Sequence, residues 1–149
     1  MPGSPRGNGE LEVSRGVNPK NHATADMDTF EIQTVEEGGI LRFTLKGPGS
    51  YKNLLQAAAT IIAETKRRAI WHVLCDATAM PAPMGAFEKF EAGVELARGA
   101  DPRMKMAVVA RVEVIDYIFE NVARSRGVAV AVFRHEGAAL QWLRSGKMG

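Results

Sequence analysis

Phe30-Glu31-Ile32-Gln33-Thr34-Val35-Glu36-Glu37-Gly38-Gly39-Ile40-Leu41-Arg42-Phe43-Thr44-Leu45-Lys46 is the stretch whose reading decides the fold. Apolar residues recur broadly at every second position on both sides of Gly38-Gly39, the period at which strand side chains share one face. Two short alternating runs joined by a Gly-Gly pair predict an antiparallel hairpin, because glycine supplies the positive φ that a two-residue hairpin turn needs. Gly47-Pro48-Gly49 closes it.

Beyond the hairpin the period changes from two to 3.6. Ser50 stands where an N-cap belongs, its hydroxyl placed to accept from a free amide of the first turn. Tyr51, Leu54, Leu55, Ala58, Ile61 and Ile62 follow at helical spacing, and Lys66, Arg67 and Arg68 suit the negative end of the helix dipole. The remaining chain repeats a strand-then-helix beat. Strands are predicted over Ala69–Cys75, Met104–Ala110 and Val128–Phe133. Helices are predicted from about Met84 to Arg98 (Phe87, Phe90 and Val94 inward), from Glu113 to Arg126 (Ile115, Ile118, Phe119 and Val122 inward), and from Glu136 to Arg144 (Ala139, Leu140, Trp142 and Leu143 inward). Gly127 is the expected left-handed residue after the third helix.

Strand-helix units after a hairpin mean parallel strands joined by right-handed crossovers. The expected fold class is α/β, a mixed sheet of about five strands with about four helices, the N-terminal hairpin preceding the parallel strands. Residues 1–27 read as a disordered leader rich in Gly, Pro and Asn, without a sustained apolar period, and Met27 is a candidate natural start. Residues 28–145 form the single domain and 146–149 a short tail.

Composition excludes several classes. A chain of 149 residues, 46% hydrophobic, suffices for one core and is short for two. Nineteen basic against seventeen acidic residues leave a net charge of +2, too little to imply a nucleic-acid partner. The basic residues at Lys66–Arg68 and at Arg103, Lys105 and Arg111 read as solvated helix ends and loop edges. Cys75 is the only cysteine, so no intramolecular disulfide forms, and its apolar neighbours predict a thiol packed as a small hydrophobe. No secretory segment or bilayer-length apolar run occurs, and a cytoplasmic location is the expectation.

The ending Val130-Ala131-Val132-Phe133-Arg134-His135-Glu136-Gly137-Ala138-Ala139-Leu140-Gln141-Trp142-Leu143, with the order of elements, resembles the SpoIIAA-like branch of the STAS superfamily over residues 28–145. The resemblance implies a regulatory module. The best-understood STAS members are anti-sigma-factor antagonists, switched by phosphorylation of a serine in an Asp-Ser-Ser-Gly motif after a central strand. The matching stretch here is Asp76-Ala77-Thr78-Ala79-Met80-Pro81-Ala82-Pro83-Met84-Gly85. It keeps the glycine and places Met84 where the hydroxyl should be. A thioether cannot take a phosphoryl group, so the expectation is a module without that switch.

The sequence holds no Gly-x-Ser-x-Gly elbow, phosphate-loop spacing or Cys/His ligand set, so no cofactor or metal is expected. Asp76 follows a predicted parallel strand, on the edge where open α/β sheets place ligands, and Arg111 and Glu113 follow the next. Thr78, Met80 and Met84 share the loop, with some exposure expected of Met80 and Met84. The candidate ligand set is therefore Asp76, Thr78, Met80, Met84, Arg111 and Glu113. Against it stands a plain capping role for Asp76, or its pairing with Arg111. A small apolar ligand or a protein partner is the leading expectation, in a monomer or weak dimer, with peripheral membrane contact at the methionine loop unsupported. A small enzyme using Asp76 with Arg111 or His72, and an oligomerisation or scaffold domain, are the rivals.

Overall fold

The computed structural model describes residues 13–15, 29–81, 85–111 and 117–146. Its strands are β1 (Val13–Arg15), β2 (Glu31–Glu37), β3 (Ile40–Lys46), β4 (His72–Ala79), β5 (Lys105–Val109) and β6 (Ala129–Phe133). Its helices are α1 (Tyr51–Arg68), α2 (Ala86–Gly99), α3 (Ile118–Ser125) and α4 (Glu136–Arg144). The sheet order is β1-β2-β3-β4-β5-β6. The pairs β1/β2 and β2/β3 are antiparallel, and the pairs from β3 to β6 are parallel. Gly38 and Gly39 both have positive φ, as the hairpin requires. The expected mixed α/β sheet and four helices are present. The short edge strand β1 is an addition, lying inside the stretch read as a structureless leader; the rest of that leader lies outside the described residues.

The topology decides the layers. From β3 to β6 the strands are laid down sequentially in one direction, so right-handed crossovers put α1, α2 and α3 on the same face of the sheet. Only α4 returns on the other face, where it packs on β4, β5 and β6. Strand alternation then sorts the side chains. Phe43, Val73, Cys75 and Met106 enter the larger core beneath the three helices. Ile40, Leu74, Ala107 and Val109 enter a smaller one with Ala139 and Leu143 of α4.

Local chemistry sets the boundaries. The Ser50 hydroxyl accepts from the Asn53 amide at 3.2 Å, as its capping role predicts. Ala69 ends α1 in the left-handed region (φ 55), with its amide bonded to the Thr65 carbonyl. The strand predicted from Ala69 therefore starts later and runs longer, from His72 to Ala79. Tyr117 is also left-handed (φ 63), so α3 starts at Ile118 and not at Glu113; Ile115 lies outside the described residues.

The apolar face expected for α2 is corrected. Phe87 and Phe90 are exposed, and the buried residues are Lys89, Ala92, Gly93 and Leu96. Gly93 explains the choice. A Cβ there would lie 2.9 Å from Val122 Cγ1 and 3.2 Å from the Phe119 carbonyl oxygen, so α2 meets α3 through its smallest residue. Lys105 is also corrected: it is 2% exposed and not solvated. Its ammonium donates to the Trp142 carbonyl at 2.7 Å and the Leu143 carbonyl at 3.5 Å, and sits 4.6 Å from the Trp142 ring centroid. Burial pulls this amine below its ordinary lysine value. The cation caps the negative end of α4 from beneath. Trp142, expected inside, is half-buried over Lys105 and Phe133.

Lys105→Met keeps the bulk of the stem and leaves the α4 carbonyls without their donor. We expect a loss of about 1–3 kcal/mol in denaturant unfolding, the cost of orphaned buried acceptors. A second expectation concerns Glu64, whose carboxylate accepts from Arg67 at 2.6 Å and Arg68 at 2.9 Å. The bond from Arg67, opposed by burial and reinforced by Arg68, holds its pKa below the ordinary value of 4.5. The stabilisation is thus fully present above pH 4.5 and is lost as pH falls through the lower folded value. Wild type should exceed Glu64→Gln by up to about 1 kcal/mol at pH 7, and the difference should close in acid.

Candidate functional site

An apolar cavity of about 110 Å³ lies between the sheet and α1–α3. Small side chains from successive elements create it: Ala57 and Ala58 from α1, Ala77 from β4, Ala92 from α2 and Ala110 after β5. Larger walls come from Leu45, Leu96, Met106 and Val108. Four lining residues carry a polar group of distinct kind: Cys75, Lys89, Tyr117 and Glu120.

Each polar group has its own setting. Burial pushes the Cys75 thiol up to about 12, with the Asp76 charge adding to the effect. A thiol so held is no nucleophile at neutral pH. Glu120 Oε1 accepts from the Val132 amide at 2.8 Å, and Oε2 lies 3.5 Å from Arg124. Lys89 is 7% exposed although it stands in the first turn of α2. Tyr117 is half exposed and lines the cavity.

The candidate ligand residues separate across the sheet. Met80, expected in an exposed loop, is 1% exposed and lines the cavity, turned inward where its amide bonds the Ala77 carbonyl. Asp76 lies within β4 and not beyond its end, on the opposite face from Cys75 and Ala77. Its Oδ1 accepts from the Thr78 amide at 2.9 Å and from the Thr78 hydroxyl at 2.6 Å, the local capping role weighed for it. Thr78 is exposed. Arg111, also exposed, stands two residues past Val109, the residue paired with Asp76 across β4 and β5. Met84 and Glu113 lie outside the described residues. His72 opens β4, four residues before Asp76, so the two are about 13 Å apart along the strand and form no acid-base pair.

Sequence reading missed Lys89 and Glu120 as wall residues. A lysine recurring with Ala92, Gly93 and Leu96 on one helical face was the available signal. Arg42 was missed too. It bridges β3 to the start of α4, donating to Glu136 Oε1 at 3.0 Å and Oε2 at 2.5 Å, and its pKa is raised chiefly by that bond. Among the described residues no three His, Cys, Asp or Glu are grouped to hold a metal ion. No helix among them is long and apolar enough to cross a membrane.

No family model and no curated protein matches the chain. Among solved structures it is similar to the crystal structure of an anti-sigma factor antagonist from Mycobacterium paratuberculosis. The TM-score is 0.57 and the identity 13%, with 77% of this chain and 94% of that chain covered. The fold is STAS-like, as the sequence resemblance implied.

Ala77→Val puts two methyl groups into the cavity from a strand position that favours β-branching. It should raise the unfolding free energy by about 1 kcal/mol, at roughly 0.8 kcal/mol per buried carbon less some crowding. Urea titration reads this directly, and a loss of stability would mean that the space is needed by its neighbours.

Proposed function

We propose that this domain is a regulatory STAS-like module that takes a small apolar ligand in the cavity beneath α1–α3, without a phosphorylation switch. The cavity carries the reading. Five alanines around one space bordered by three helices and the sheet is the concave, apolar setting in which small ligands are held. An apolar cavity of about 150 Å³ holds benzene, so about 110 Å³ suits a single ring or a short chain, not a whole lipid. The regulatory part of the reading is supported by the STAS-like fold shared with an anti-sigma factor antagonist. The lack of a switch is supported by Thr78, the one hydroxyl between Asp76 and Gly85, which lies in β4 bonded to Asp76 rather than at a helix start.

Titration with benzene, followed by amide chemical shifts, tests the reading. Changes should concentrate at Leu45, Ala77, Leu96 and Val108, and should vanish in Ala77→Val. Shifts confined to Asp76, Thr78 and Arg111, or none at saturating benzene, would sink it. Incubation with kinases should leave Thr78 unmodified; stoichiometric phosphorylation there that alters binding would overturn the absence of a switch.

A further inference from the structure

We infer that the cavity selects an aromatic ring over a saturated one, through the three sulfur-bearing side chains in its wall. This rests on the proposed cavity function and deepens it by naming the class of ligand. Cys75, Met80 and Met106 all border the space, so the chain's only cysteine and two of its seven methionines converge on it. All three are buried. Sulfur is polarizable, and its contacts with an aromatic ring, often at the ring edge, are favourable. A saturated ring has no π system and gains none of this. Methionine is suited to filling irregular gaps, yet here a space remains beside both residues, so filling is not what these two accomplish.

The fold sets these residues along the sheet side of the cavity. Met106 of β5 pairs with Val73, and Val108 pairs with Cys75 of β4, so Cys75 and Met106 are diagonal neighbours on one face. Met80 follows β4 beyond Ala79 and turns back toward Ala77, whose carbonyl accepts its amide. The helix side is built differently, with Ala57 and Ala58 from α1 and Ala92 from α2. A ring seated between the layers meets methyl groups on the helix side and sulfur on the sheet side. Burial pushes the Cys75 thiol up to about 12, so it stays neutral and sets no charge against the negative face of a ring.

Benzene and cyclopentane separate the two ideas, since they are similar in volume and only one has a π system. With each affinity referenced to transfer from water to hexane, benzene should bind wild type about fivefold more tightly than cyclopentane by amide-shift titration. Combining Met80→Leu with Met106→Leu, swaps that nearly conserve volume, should lower this preference to about twofold or less while cyclopentane still binds. Biosynthetic replacement of methionine by norleucine, which puts a methylene where each thioether sulfur stands, should do the same, and it decides if the double variant does not fold. No preference in wild type, or one that neither replacement lowers, overturns the inference and leaves the apolar cavity standing. Failure of both probes in wild type overturns the cavity reading and this inference together.

Discussion

Alternation along β4 is the constraint on which the rest depends. This strand lies inside the sheet, between β3 and β5, so both of its faces must be covered. Val73, Cys75 and Ala77 face three helices, while Leu74 faces α4. One strand thereby separates two cores, and no side chain of β4 can serve both. Asp76 and Met80, four residues apart in sequence, would share a face under this rule, and only the end of the strand at Ala79 lets them act in different places. Asp76 caps its own strand end, and Met80, released from the alternation by the bend after Ala79, turns into the cavity.

The unequal number of helices on the two faces follows from chain order. Sequential right-handed crossovers leave α4 alone on its side, too short to cover the whole sheet. Two long-range polar contacts fix it there. Arg42 reaches from β3 to Glu136 at its first turn, and Lys105 holds the carbonyls of Trp142 and Leu143 at its last. Both contacts place charge where the helix dipole favours it, an acid at the start and a cation at the end. A nine-residue helix is marginal alone, so its apolar stripe and these two clamps together define its position.

Most of this fold was legible in the sequence, because local chemistry and tertiary demand agree. Gly38-Gly39 specified the hairpin, Ser50 the start of α1, and the strand-helix beat the parallel sheet. Legibility failed where two helical faces both carry apolar residues. On α2, Phe87 and Phe90 compete with Ala92, Gly93 and Leu96, and hydropathy alone favours the aromatics. Close approach of α3 decides for the small residues, and that distance is not written in α2 itself. Lys105 failed for another reason: a charge is assigned to solvent unless its acceptors are visible, and these lie 37 and 38 residues later. The separation of the candidate ligand residues was readable only once the strand was known to continue through Asp76.

The cavity also has an energetic meaning. Wall atoms that face open space instead of neighbouring side chains forgo dispersion contacts, so the space of about 110 Å³ is a cost to stability. Single changes from alanine to valine at several wall positions would reclaim part of it, and β4 accommodates valine already at Val73. A bound apolar molecule would supply the same missing contacts without any change of sequence, so the space that weakens the packing is also what makes room for a ligand.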